Sequence, residues 1–93
     1  MTKLNGNLRI ARSVESEKSR PHFEVSFVPY LGRVKTQVVK LHSQDEVVEF
    51  LMKVRISEDE SARWAGKATS EGIVLIPNVQ LTEDQLRENG LIV

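Results

Sequence analysis

The chain contains no cysteine, which removes a disulfide framework and all thiolate chemistry, whether for holding metal or for nucleophilic attack. Its two histidines, His22 and His42, form no His-x-x-x-His pair, so no structural zinc site is expected. Glu58-Asp59-Glu60 lacks the alternating acids and the glycine of a calcium loop, so no metal is expected there either. Aromatics are scarce, with three Phe, one Tyr and one Trp, too few for a stacking platform unless they gather on one face. The five glycines nowhere gather into a phosphate-cradling loop, and no serine sits in a nucleophile-elbow context. The longest strictly apolar run, Ile73-Val74-Leu75-Ile76, falls far short of the roughly 20 residues that span a bilayer. Lys3, Asn5, Gly6, Asn7 and Arg9 interrupt any hydrophobic run at the start, so no secretory leader is expected and a cytoplasmic location is the default. These absences point away from an enzyme and away from any cofactor.

What the chain does have is apolar mass in two periods. Leu, Ile, Val and Phe supply 29 of the 93 residues, enough to fold, and the length fits one small α+β domain over residues 1–93. A chain of this size buries only about 60–65% of its unfolded surface, so a surface groove is expected rather than a deep pocket. Up to residue 42 the pattern alternates. Leu8, Ile10 and Val14 are spaced by polar residues, with Arg12 breaking the apolar face. Phe23, Val25 and Phe27 alternate with His22, Glu24 and Ser26; Val34, Thr36 and Val38 alternate with Arg33, Lys35 and Gln37. Alternation marks half-buried strands. A charged connection over Glu15–Pro21 separates the first two, and Pro29-Tyr30-Leu31-Gly32 reads as a compact turn into the third. Odd-numbered Phe23, Val25 and Phe27 then share a face with even-numbered Val34, Thr36 and Val38, which requires a turn of two or four residues or a bulge.

From Ser43 the period becomes 3.6. Ser43 with Glu46, Ser57 with Glu60 and Thr82 with Gln85 all have the spacing of capping boxes. Val47, Val48, Leu51, Met52 and Val54, with Phe50 at the border, form the apolar stripe of a first helix. A second runs through Ala62, Trp64, Ala65 and Ala68 despite Gly66, and ends at Gly72. Ile73–Ile76 reads as a strand buried on both faces, stopped or bent at Pro77-Asn78. Leu81 and Leu86 form a hydrophobic staple around a short third helix ending at Gly90. Leu91-Ile92-Val93 is too apolar for a loose tail and should dock on the core. The expected architecture is a three-stranded antiparallel meander, two helices, a fourth buried strand and a short C-terminal helix (β-β-β-α-α-β-α), with the helices on one face of the sheet. Trp64 is expected as a core anchor, an exposed interface being its other reading.

A net charge of zero hides a division. Residues 1–42 carry eight Lys/Arg against three Glu, net +5; residues 43–93 carry five against ten acids, net −5. Seven of those ten acids fall in predicted helix first turns, where they complement the macrodipole. The basic half has no such account. Arg9, His22, Glu24, Arg33 and Lys35 are expected on the polar sheet face, with Tyr30 at the turn, and these six form the candidate binding surface. Strand 1 could also add to a partner's sheet, although Arg9 and Arg12 discourage this. The expected function is a small intracellular binding or interaction module, non-catalytic, whose partner is another protein or a second copy. The alternative is a nucleic-acid-associated protein contacting phosphates through the same basic residues. No membrane partner is expected.

Overall fold

A computed structural model describes residues 3–13, 22–32 and 34–93. Three strands come first: β1 (Lys3–Ser13), β2 (His22–Pro29) and β3 (Val39–Leu41). Helices α1 (Gln44–Lys53) and α2 (Glu58–Glu71) follow, then β4 (Ile73–Thr82) and α3 (Glu83–Glu88). This is the expected α+β order. The sheet is antiparallel throughout, ordered β3-β2-β1-β4, so the meander is present and β4 closes on its far side, against β1. Val14 and the charged connection over residues 15–21 lie outside the described residues.

The alternation in β1 and β2 does what half-buried strands require. Leu8, Ile10, Val25 and Phe27 are buried on one face together with Phe23, each full burial being worth about 1.5–3 kcal/mol. From β4, Val74, Ile76, Val79 and Leu81 join them, and the helices and tail cover this face with Val47, Phe50, Leu51, Val54, Ala65, Ala68, Leu86, Leu91 and Ile92 in one contiguous core. Leu8 and Ile10 pair with Phe27 and Val25 on one side and with Ile76 and Val74 on the other. Gly6 belongs to this layer because β2 crosses it closely. A Cβ there would meet the Val28 carbonyl oxygen, with Phe27 Cζ at 2.7 Å and Pro29 Cα at 2.9 Å.

Two strand assignments are corrected. The third strand is not Val34–Val38 but Val39–Leu41, paired odd with odd as Phe23↔Leu41 and Val25↔Val39. The Val34–Val38 segment does form extended contacts, but with the C-terminal tail. Thr36 bridges Ile92, the Gln37 N–H donates to the Leu91 carbonyl at 3.0 Å, and the Val93 N–H donates to the Lys35 carbonyl at 3.0 Å. Gly32 takes the positive φ expected of the turn, +100°, yet the turn opens into this connection rather than into a hairpin. Nor is β4 buried on both faces, for Ile73 and Leu75 are 49% and 52% exposed. Pro77-Asn78 does not stop the strand. The register slips there between Gly6 and Leu8, so Asn7 faces two residues, a β-bulge that absorbs the proline and lets β4 continue to Thr82.

Helix ends follow their caps, with one complete capping box. Thr82 Oγ1 accepts from the Gln85 N–H at 3.1 Å and Gln85 Oε1 accepts from the Thr82 N–H at 2.9 Å. Leu81 and Leu86 staple that helix, both fully buried. At Ser43 the side chain accepts from Glu46 N–H, but the Glu46 carboxylate takes the His42 N–H instead of Ser43's own. At Ser57 the structure shows the Glu60 N–H to Ser57 Oγ bond, 3.3 Å. The stripe of α1 is rotated from the expected one, with Phe50 buried and Met52 45% exposed. In α2 the chain stays helical through Gly66. Ala65 and Ala68 are fully buried, while Ala62 is exposed. Trp64 is partly buried against the core, in line with the anchor reading, and the Lys67 ammonium lies 5.4 Å from its ring centroid.

Candidate functional site

The helices cover one face of the sheet and leave the other open, so side chains of opposite parity to the core point to solvent there. Across β1 the register sets Arg9 between Ser26 and Leu75, Ala11 between Glu24 and Ile73, and Ser13 opposite His22; Lys40 faces Glu24 from β3. His22 Nε2 lies 3.3 Å from Glu24 Oε1, two residues on along the same strand face, with the two side chains 12% and 31% exposed. Among the described residues the only other ion pair is Arg87–Asp84, on α3, so no described acid forms an ion pair with Arg9 or Lys40 on this face. Arg9, His22 and Glu24 thus occupy the open face as the alternation predicts.

Tyr30 is there too, with a role the sequence did not reveal. Its hydroxyl donates to Asn7 Oδ1 at 2.6 Å and accepts the Asn78 N–H at 3.0 Å; a longer contact to Asn78 Oδ1, 3.3 Å, competes for the same single proton. Its own N–H donates to the Asn5 carbonyl at 2.9 Å. Asn78 sits at φ +58°, a left-handed conformation asparagine tolerates better than most residues. Tyr30 therefore reaches across β1 and holds the β4 bulge. Its phenol end is committed to structure.

The remaining expected residues do not join this group. Lys35 lies in the connection that pairs with the C-terminal tail, off the sheet face, and Arg33 lies outside the described residues. Nor is β1 an edge able to recruit a partner's strand, since it runs inside the sheet between β2 and β4. Missed at the sequence level were Val28, Ile73 and Leu75, which are 45%, 49% and 52% exposed, and Lys3 and Lys40, which share the open-face parity. Each parity was readable from alternation, but which strand lies beside which was not.

Two shallow grooves lie at the end of the sheet where β4 runs into α3. One, of about 260 Å³, is lined by Lys3, Leu4, Asn5, Tyr30 and Leu31. The other, about 440 Å³, is lined by Lys3, Arg55, Gln80, Thr82 and Gln85. The Thr82 hydroxyl is already engaged in its cap, and neither groove sets a nucleophile beside a general base. Among the described residues no cluster of three or more His, Asp or Glu could hold a metal ion, and no helix is long and apolar enough to cross a membrane. No family model, no curated protein and no solved structure matches the chain.

Proposed function

We propose that the chain is a small non-catalytic protein-interaction module, placed in the cytoplasm and working without a cofactor, whose docking surface is the open face of the sheet. The observation that carries this reading is the half-exposed pair Ile73 and Leu75. They lie on one strand face two residues apart, beside Ala11 and rimmed by Arg9 and Glu24. An apolar patch bordered by charges of both signs has the composition of a protein-binding surface, with a dry centre and a polar rim. The alternative, phosphate contacts by Arg9, Arg33 and Lys35, keeps only Arg9 on the described open face, where the other described cations are Lys3 and Lys40. These are dispersed rather than convergent: Lys40 faces Glu24 across the ladder, Lys3 stands at the far end, and the one aromatic near it, Tyr30, is tied to Asn7 and Asn78. Nucleic-acid surfaces gather their cations around stacking rings.

A photo-crosslinking residue at Leu75 or Val28, set against one at Glu49 on α1, tests the reading in cells. Adducts to a defined protein from the sheet positions, absent from Glu49, are expected. Equal labelling from all three sites refutes the open face as the docking surface. A titration with mixed oligonucleotides decides the alternative, since phosphate contacts on single strands would give binding that falls with salt at roughly −0.7 per neutralised phosphate in the log–log slope.

A further inference from the structure

The two edges of the sheet are built differently. β3 is three residues long, carries Lys40 at its centre, and is preceded by a segment already bridged to the tail through Thr36 and Ile92. Those are the usual devices that stop edge-to-edge pairing: shortness, a lysine and cover. β4 is ten residues long and contains no charged residue from Ile73 to Thr82. Among the described residues its one protective device is the Pro77-Asn78 bulge, and none of them pairs with the outer side of Ile73–Ile76. We propose that this edge pairs antiparallel with the same edge of a second copy of the chain, about a two-fold axis beside Val74.

The hydrogen-bond parity of β4 fixes the register. The Arg12 N–H donates to the Gly72 carbonyl at 2.7 Å, which makes 12↔72 a hydrogen-bonded pair. By alternation Ile10↔Val74 and Leu8↔Ile76 are hydrogen-bonded pairs as well. Val74 and Ile76 therefore spend their backbone groups on β1, whereas the N–H and C=O of Ile73 and Leu75 point out from the edge. With Val74 opposite its own copy, Ile73 meets the second copy's Leu75 and Leu75 meets its Ile73, and each pair exchanges both N–H···O=C bonds. Shifting the centre to Leu75 would place Ile73 against Pro77, which has no N–H to give. The same register brings Ile73 and Leu75 of both copies together on the open face, flanked by the two Ala11 side chains. Because β4 is uncharged along its length, a two-fold axis sets no like charges against each other. A self-pairing edge needs that neutrality, and a strand selected to receive a charged peptide would lack it. An edge contact of this length belongs at the small end of interface sizes, below about 1,200 Å² in total, so the dimer is transient. The pairing runs through backbone groups and keeps the Ile73 and Leu75 side chains on the open face, so it does not exclude another protein docking there and does not depend on what binds.

Sedimentation velocity and amide exchange on the full chain from about 10 µM to about 1 mM test the pairing. A reversible monomer–dimer equilibrium is expected. The Ile73 and Leu75 amides should gain protection as concentration rises, while the Val74 and Ile76 amides are protected throughout. Leu75→Pro deletes an outward N–H and leaves the β1–β4 ladder intact. Leu75→Lys, at a half-exposed side chain that the fold does not need, brings two ammonium groups to the two-fold. Each should weaken association at least about tenfold with an unchanged far-UV spectrum, and Leu75→Lys keeps the test decisive should the proline variant fail to fold. Val28→Lys, on the same face but two strands from the edge, should leave dimerisation unchanged even if it impairs docking of another protein. A chain that stays monomeric at about 1 mM, or a dimer that Leu75→Lys leaves intact, overturns the proposal.

Discussion

Replacing Tyr30 with phenylalanine separates a clamp from a binding aromatic, because the ring stays and only the hydroxyl goes. Two bonds are lost: the one donated to Asn7 Oδ1 at 2.6 Å and the one accepted from Asn78 N–H at 3.0 Å. A typical intramolecular hydrogen bond contributes about 0.5–1.5 kcal/mol net. Tyr30 is 48% exposed, so water replaces part of the loss, and the expected cost is about 1–2 kcal/mol. For a domain of this size that lowers the melting temperature by about 4–8 °C per kcal/mol. Urea denaturation should show the midpoint falling with the m-value unchanged. A double-mutant cycle with Asn7→Ala isolates the shorter bond and should return a coupling of about 1 kcal/mol, since residues in one hydrogen-bond network are not additive. A loss under about 0.3 kcal/mol with no coupling would refute the clamp, and Tyr30 would return to the list of residues spared for a ligand.

Gly6→Ala should cost about 2–4 kcal/mol, the range of overpacking that backbone cannot relieve, because its Cβ collides with the Val28 carbonyl and Pro29 Cα; thermal denaturation of an otherwise native variant measures it. Gly66→Ala should raise stability by about 0.8–1 kcal/mol: it lies inside α2 with only Gln44 Nε2, 3.9 Å away, near its added methyl, and a lower melting temperature would contradict this. Arg55→Gly should stabilise by about 1 kcal/mol. Arg55 sits at φ +74° after α1, where Arg55 N–H to Met52 and Ile56 N–H to Leu51 complete the helix-ending motif that α3 makes with Gly90 in the same place; a destabilised variant in urea would show that its guanidinium holds the fold.

How far the residues alone carried the architecture follows from what periodicity encodes. A period of two states that a segment is extended and which side chains share a face, and it did so correctly for β1 and β2. It does not name the neighbour. Val34, Thr36 and Val38 alternate as a strand should, but Thr36 bridges Ile92, a partner at the other end of the chain. The run Ile73–Ile76 failed for a related reason. An unbroken apolar stretch reads as buried on both faces, yet here it forms a sheet edge and exposes Ile73 and Leu75. Caps were legible because their chemistry is local. All three N-cap side chains accept the expected N–H. The return bond of a full box forms only at Thr82, while Glu46 reaches back to His42, one residue off, and the Ser57 cap shows the forward bond alone.

The charge division now has a physical reading on one side only. Asp45, Glu46, Glu58, Asp59, Glu60, Glu83 and Asp84 all occupy helix first turns, so seven of the ten acids of residues 43–93 are placed where backbone N–H groups carry partial positive charge. Among the described residues, the basic side chains of residues 1–42 do not resolve into a complementary patch, Lys18, Arg20 and Arg33 lying outside them. Lys3, Arg9 and Lys40 share the open face at separate stations, Arg12 takes the core-side parity at an exposed strand end, and Lys35 rides the connection to β3. Dispersed cations keep a surface soluble and steer encounters, but they specify little by themselves. The discriminating feature of the open face is then what lies among those charges: an apolar pair on β4 where an edge strand would ordinarily carry lysine. Selectivity on such a surface comes from shape and desolvation. Raising the salt concentration should therefore leave binding to the open face largely intact, while Leu75→Lys should abolish it.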